Sequence, residues 1–380
     1  MDIICFCHLR WNFVYQRPQH LMSRFAQHGK VFIIEEPIFG AEQSFLEENK
    51  TYANIAVLVP HLPAGLNAGE TLLAEQALIK KWFGASGIQK YIAWLYTPMA
   101  LPLSETLPSP ELLVYDCMDE LSAFKNAHAE LKQNETRLFQ KADLVFTGGH
   151  SLYEAKQHLH NNIHPFPSSI DKHHFAMART IKDERADQLS IPHPRIGFFG
   201  VIDERMDIDL LQQLAEKKPE WHFVMIGPVV KIDPDTLPVA PNIHYLGARS
   251  YIELTSYLAG WDVAMIPFAM NESTRFISPT KTPEYLAGGI PVVSSPLRDV
   301  VKPYGEKELV YIANTADDFI KGIQWCMERK RDPGWIRMVD DFLADISWDV
   351  TWINMMLLIQ NKLANSQPGN LVQTEEKDYV

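Results

Sequence analysis

Residues 278–295, SPTKTPEYLAGGIPVVSS, pass from polar loop to short helix to buried strand. The loop carries Lys281 and ends at Pro283, which suits the first turn of a helix because no carbonyl there needs its missing N–H. Residues 284–287 read as the helix, which stops at Gly288-Gly289. Residues 290–293, IPVV, read as the strand. This predicts Glu284 near the positive end of a helix, with Lys281 about one turn earlier. A fixed cation beside free N–H groups forms a seat for a phosphate. The carboxylate suits a pair of ligand hydroxyls, as on a ribose or hexose. The same residues also describe an ordinary capped helix whose acid only complements the dipole, so the neighbouring chain has to decide.

Upstream, the theme repeats. Residues 195–200, RIGFFG, open a sheet, followed by a loop at 201–205 and a helix from Asp209 bearing Leu210, Leu211 and Leu214. Strands are expected at 222–227, 243–246 and 262–266, a helix at 251–258, and after the quoted stretch a further strand at 309–312. Such alternation is the mark of an open parallel sheet. Gly200 and Gly227 each end an apolar strand, as simple turns or as points where a ligand reaches the backbone. Arg205 is the second cation candidate for a phosphate, and residues 271–275 form a polar rim. Phe319, Ile320, Ile323 and Trp325 read as a helix packed on the sheet. Residues 335–343 and 348–363 read as two amphipathic helices, and 364–380 as a polar, disordered tail.

The first half has the same grammar. Residues 3–7 form a strand that leads into HLRWNFVYQRPQHLMSRFAQHG, a polar and aromatic loop and then a helix whose face is Leu21, Met22 and Phe25. Further strands are expected at 31–34, 55–59, 91–95, 112–115 and 143–147. The loop lacks a glycine fingerprint, which speaks against a dinucleotide-binding turn. His8 is a site candidate or an ordinary capped or surface histidine. Arg10 and Arg17 could fork onto a diphosphate or anionic sugar. Asp116 and Asp119, expected just beyond a strand, are candidates for a general base or for holding a sugar hydroxyl. Asp119 could instead cap a helix starting near Leu121. A helix is expected at 127–140. Ser151 reads as the cap of the next one, with His150 beside it. Residues 163–171, IHPFPSSID, read as linker, with the hinge near 170–190.

Composition narrows the class. With 380 residues the chain has room for two domains. A formal charge of -12 argues against a general nucleic-acid binder. Cys5, Cys7, Cys117 and Cys326 have no metal-type pairing, and Cys5 and Cys7 would share one side of a strand. A reducing compartment is expected. The start shows no signal-peptide pattern, and no apolar run of spanning length occurs, so a cytoplasmic protein, at most lying on a membrane, is expected.

These stretches, FCHLRWNFVYQRPQHL, YDCMDELSAF, HYLGARSYIELTSYLAGWDVAMIPF and SPTKTPEYLAGGIPVVS, together resemble glycosyltransferases of the two-Rossmann-domain (GT-B) architecture. The resemblance is to the bacterial group near family 4 that includes teichuronic-acid and capsule glycosyltransferases. It implies an α/β fold with two Rossmann-like parallel-sheet domains facing across a cleft. Residues 1–175 would form the acceptor domain, 176–345 the nucleotide-sugar donor domain, and 346–363 a helix crossing back. In that family the helix-initiating glutamate contacts the donor, and it falls here on Glu284; Lys281 falls on a family variant's lysine. Three departures stand out. Phe276 occupies the position of an earlier glutamate, Asp203-Glu204-Arg205 replaces a lysine-bearing loop, and Ser168-Ser169 replaces an asparagine–glycine turn at the hinge.

The expected reaction is transfer of a sugar from a nucleoside-diphosphate sugar to a glycan or lipid-linked acceptor in cell-surface polysaccharide synthesis, with retention expected. Lys281 and Arg205 would stabilise the departing diphosphate, with Gly200 and Gly227 also at the donor. Glu284 would hold donor hydroxyls, while His8, Asp116 and Asp119 contact the sugar or activate the acceptor. Neither a metal nor a tightly bound cofactor is expected. Expected partners are those substrates, polysaccharide assembly proteins and a peripheral membrane surface, the last supported by Trp11, Phe13 and Tyr15 with nearby bases. The alternatives are a non-catalytic sugar-nucleotide binding or scaffold protein, and an epimerase or hydrolase of the same fold.

Overall fold

Residue 3 to residue 7 shows why the first sheet lies in the middle of its domain. Side chains alternate along a strand, and here Ile3, Cys5 and Cys7 enter one apolar cluster while Ile4 and Phe6 enter another. Both faces are buried, as a parallel sheet requires. The computed structural model describes residues 1–52, 54–125, 127–182 and 184–366.

Among these residues, nine strands build the first sheet: β1 (Asp2–Cys7), β2 (Val31–Glu35), β3 (Ile38–Phe39), β4 (Phe45–Tyr52), β5 (Ile55–Leu62), β6 (Tyr91–Leu95), β7 (Leu112–Cys117), β8 (Leu144–Thr147) and β9 (Ile163–Pro165). Their order is β3-β5-β2-β1-β6-β7-β8-β9, with β4 antiparallel on β5 and every other pair parallel. The second sheet has six strands: β10 (Arg195–Phe199), β11 (His222–Ile226), β12 (Ile243–Gly247), β13 (Val263–Ile266), β14 (Val292–Ser294) and β15 (Val310–Ile312). Its order, β12-β11-β10-β13-β14-β15, is parallel throughout. The order reverses at β1/β6 in one sheet and at β10/β13 in the other. Loops diverge at such points and leave a crevice at the carboxyl ends of the strands.

Helix α1 (Arg17–Phe25) follows β1, α2 (Ala68–Ser86) follows β5, and α3 (Leu131–Lys141) precedes β8. Next come α4 (His150–Lys156), α5 (Ile208–Lys217), α6 (Lys281–Ala287), α7 (Ala316–Arg329), α8 (Pro333–Phe342) and α9 (Trp348–Ser366). Trp335 and Val339 of α8 belong to the second domain's core, whereas Trp348, Met355 and Ile359 of α9 belong to the first domain's. The last helix therefore crosses back. Its start is tied down where the Trp348 N–H donates to the Ile170 carbonyl at 3.1 Å.

Several details differ from the sequence reading. The β4–β5 hairpin escaped it because β4, FLEENKTY, is a charged edge strand without an apolar run. Residues 163–165 pair as β9 rather than lying in the linker. Near Leu121 there is only a single turn, Leu121–Ala123, whose cap position is Glu120, so Asp119 caps nothing. Ser151 lies inside α4, with Gly149 as the cap. Helix α6 starts at Lys281, three residues before Glu284, so both side chains rise from one face. The expected tail begins inside α9, which continues to Ser366, and its residues 367–380 lie outside the described residues.

The crossing helix makes its seat sensitive to acid. His20 on α1 is 3% exposed and stacks on Trp348 at 4.7 Å, with Tyr251 of the second domain edge-on at 5.5 Å. Burial, then the charge of Arg24 and then His174, holds its pKa well below the usual histidine value. The unfolded chain therefore binds the extra proton first, and the stabilisation present above about pH 6.5 is lost as pH falls below it. For His20 alone the loss should reach about 1.4 kcal/mol one pH unit below that value. Urea midpoints of the wild type and His20→Gln at pH 7.5 and 5.5 measure it: the wild type should lose more stability than the variant, and equal losses would remove His20 from the account.

Candidate active site

The carboxyl ends of the two sheets face each other, and the contacts between them identify the cleft. Phe124, from the first domain, lies under two cations of the second, Arg205 at 5.8 Å and Lys231 at 5.2 Å from its ring centre. The Lys125 N–H donates to the Glu204 carboxylate at 3.0 Å. The Ser168 N–H donates to the Ser278 hydroxyl at 3.3 Å, and the Ser151 N–H donates to Asp299 at 3.0 Å. So the second domain's Asp299 takes on the N-terminal helix contact expected of Ser151.

Lys281 sits at the floor of the second domain's side. Its ammonium lies 5.4 Å from the Phe198 ring and 5.7 Å from that of Phe268, a cation–π seat. Burial lowers its pKa to about 8, Arg205 pushes the same way, and Glu284, Asp203 and Asp119 oppose. Glu284, 6% exposed, is pushed up to about 8 by burial against the charge of Lys281. Among the described residues no ion pair within 4 Å joins the two. Near neutrality the pair is therefore a cation beside a protonated acid, with net positive charge. The helix start supplies less than the sequence suggests. The Thr282 and Glu284 amides already donate to Pro279 and Thr280, and Pro283 has no N–H.

Gly200 and Gly227 serve local packing. Both hold left-handed backbone, φ +139° and +148°. A Cβ on Gly200 would fall 2.2 Å from Cε of Lys281, and one on Gly227 would fall 1.8 Å from the Gly200 carbonyl oxygen. Their bareness admits Lys281 and the neighbouring turn, the plainer of the two uses expected. Arg205 is partly committed, donating from Nε and Nη2 to Asp203 at 2.7–3.1 Å.

From the first domain, His8 follows β1. It is half-buried, its Nδ1 has no hydrogen-bond partner, and burial aided by Lys231 lowers its pKa to about 4, so it is neutral at pH 7. Asp119 is half-buried and raised to about 6, chiefly by burial, with Arg205, Arg17 and Lys231 opposing. Asp116 is different. It lies within β7, has no exposure and is clamped by Arg17 at 2.8–3.1 Å. Neither Asp116 nor Arg17 is free to meet a ligand. Arg10 is likewise bound to Glu35 and to the carbonyls of Glu36 and Pro37. Trp11 is buried, which removes it from any membrane surface.

The cleft thus gathers His8 and Asp119 opposite Arg205, Lys281 and Glu284. Lys231 and Tyr251, neither singled out as a site residue from the sequence, join them. Lys231 sits at φ +62°, in a loop with no motif. The Tyr251 hydroxyl is buried without a partner, and burial first, then Glu284, drives its pKa upward. Phe276 packs against the first domain's core, so that position serves the domain contact. Among the described residues no group of three or more His, Cys, Asp or Glu could hold a metal ion.

Residues 193–329 match the family model for glycosyl transferases group 1. The chain is 25% identical over 284 residues to TuaH of Bacillus subtilis (strain 168), a candidate teichuronic acid biosynthesis glycosyltransferase, covering 69% of this chain and 70% of TuaH. The sucrose-phosphate synthase structure from Thermosynechococcus elongatus superposes with TM-score 0.73 at 14% identity, covering 96% of this chain and 100% of that one. The α,α-trehalose-phosphate synthase (UDP-forming) from Burkholderia xenovorans, in complex with glucose-6-phosphate, gives 0.65 at 9%, covering 95% and 100%. Anabaena Alr3699/HepE in complex with UDP gives 0.63 at 11%, covering 95% and 100%. The chain has the GT-B fold, and within its second domain residues 193–329 match the glycosyl transferases group 1 model.

Proposed function

We propose that the protein transfers a sugar from a nucleoside-diphosphate sugar to a hydroxyl of a glycan or lipid-linked acceptor. The observation that carries this is the buried Lys281–Glu284 pair on α6, beside Arg205 and Lys231 and across the cleft from Asp119 and His8. In the transfer, the bond from the anomeric carbon to the diphosphate oxygen breaks and one to the acceptor oxygen forms. Negative charge grows on the departing diphosphate, and fixed cations in a site poor in water stabilise that growth. Lys281 and Arg205 hold that role, with Lys231 at the rim. Glu284, largely protonated at neutral pH, both donates to and accepts from the donor's hydroxyls, and the Tyr251 hydroxyl is free to join it. Asp119, raised to about 6, is ionised at pH 7 and accepts the acceptor's proton or hydrogen bond. Retention of configuration belongs to this reading, as does a cytoplasmic location on the inner membrane face beside polysaccharide assembly proteins. Phe13, 52% exposed, supports the membrane contact; sedimentation unaffected by anionic vesicles would rule it out.

A non-catalytic sugar-nucleotide binder is the second reading, favoured by Phe276 standing where a carboxylate would. Nucleotide binding without turnover on any donor would select it.

The test is thermal shift of the protein with UDP, GDP, dTDP, ADP and CMP. One diphosphate should stabilise it, by about 2.7 kcal/mol at a hundredfold excess over Kd. The effect should weaken as pH rises through about 8, where Lys281 loses its proton and Glu284 becomes anionic. A panel without any shift, or a shift that strengthens above pH 8, would refute the site.

A further inference from the structure

A cavity of about 500 Å³ lies wholly within the first domain. It opens between the carboxyl ends of β1 and β2 and the start of α2. Cys7, the last residue of β1, lines it, and His8 of the cleft is the next residue. Its walls are mostly apolar, including Phe39, Leu66, Leu72, Met99 and Leu103. Glu75 reaches in from α2 and is half-buried without a recorded hydrogen bond or ion pair. Glu36 and Glu130 are exposed at the mouth. No lysine or arginine lines the cavity among the described residues. Arg10 behind it is spent on Glu35 and on two backbone carbonyls.

This is the inverse of an anion site. A phosphate or carboxylate entering would meet four acids, Glu35, Glu36, Glu75 and Glu130, of which Arg10 engages only Glu35, and no lysine or arginine; the polar part of the wall is limited to Thr71, Thr97, His128 and Asn134. A neutral pyranose fits instead. Its C–H face lies on aliphatic and aromatic wall, and its hydroxyls donate to an unengaged carboxylate. Burial, followed by the charge of Glu36, raises Glu75 to about 7. It therefore accepts when ionised and also donates when protonated.

We propose that this cavity is the acceptor subsite and that it selects a neutral sugar unit over a phosphorylated or carboxylated one, with Glu75 holding the sugar's hydroxyls. This rests on the glycosyl-transfer reading above. The acceptor it excludes is the kind bound in the Burkholderia xenovorans structure, a sugar phosphate.

Saturation-transfer NMR on the full chain tests it, with methyl hexopyranosides and methyl N-acetylhexosaminides set against glucose 6-phosphate and glucuronate. Neutral glycosides should bind and the two anions should not. Leu72→Trp, which fills the cavity, should abolish glycoside binding. Glu75→Gln should weaken it about tenfold, the loss of one charge-assisted hydrogen bond. Glu75→Lys should gain glucose 6-phosphate. All three variants should keep the thermal shift by nucleoside diphosphate, which reports an intact fold. Anions binding as well as neutral sugars, no neutral sugar binding, or unchanged binding in Leu72→Trp would overturn the proposal. If the diphosphate shift persists in those cases, only the subsite falls. If no diphosphate binds the wild type, the transfer reading itself falls.

Discussion

Lys281→Met should retain the fold and lose about 10²- to 10³-fold in kcat, with little or no thermal shift by the nucleoside diphosphate. The magnitude is that of removing one preorganised electrostatic partner of the leaving group. Met is the right replacement because it preserves most of the chain's packing beside Gly200 and between the Phe198 and Phe268 rings while deleting the charge. Loss of the cation also removes the charge that holds the Glu284 pKa down against burial, so Glu284 should stay protonated to higher pH. The variant's remaining activity should therefore lose the wild type's fall above pH 8. Lys281→Arg should not rescue, since the bare Cα of Gly200 leaves room for an ammonium and not for a planar fork. Wild-type turnover in Lys281→Met would take Lys281 out of the reaction.

The placement of that lysine was legible because periodicity and punctuation survive tertiary packing. An apolar run ending in glycine marks β10, and a proline beside a glutamate marks α6. The parallel α/β alternation and the crossing of α9 follow from the same signals. Helix starts were less legible. Pro283 is tolerated anywhere in a first turn, so it could not show that α6 begins at Lys281. Ser151 has the composition of a cap, yet an acid 148 residues further on takes the N–H contact. Local sequence cannot report an acceptor supplied from another domain.

Side chains at strand ends were legible as types but not as states. Asp116 and Asp119 are three residues apart and look alike in sequence. Two extra residues of strand place Asp116 in the sheet's interior, where a charge persists only with a partner, and leave Asp119 at the cleft. The glycines after β10 and β11 stayed open between simple turns and room for a ligand because φ and the neighbouring side chain are invisible in sequence. Lys231 was missed for want of any motif, and only the meeting of the two domains brings it to Asp119 and His8; Tyr251 lies in a resembling stretch but was read only as the start of a helix, and packing within its own domain sets it beside Glu284.

Asp116→Ala should destabilise the protein by about 3–5 kcal/mol, because it strands a buried arginine. Arg17 is 5% exposed, and beyond Asp116 its recorded partner is the Phe166 carbonyl at 2.7 Å. Burial pushes the Asp116 carboxyl up while Arg17 holds it down, so neither group is comfortable without the other. Replacing both, Arg17→Met with Asp116→Leu, should recover most of the loss, since a well-packed apolar pair matches a buried ion pair in stability. The double variant also separates a structural role from a chemical one. Measured by urea denaturation and by turnover at saturating substrates, it should be near wild-type stability and within about tenfold of wild-type kcat, since neither side chain reaches the cleft. A double variant that is stable yet inactive would return Asp116 to the reaction and make its burial a means of tuning its proton rather than of holding β7 to α1.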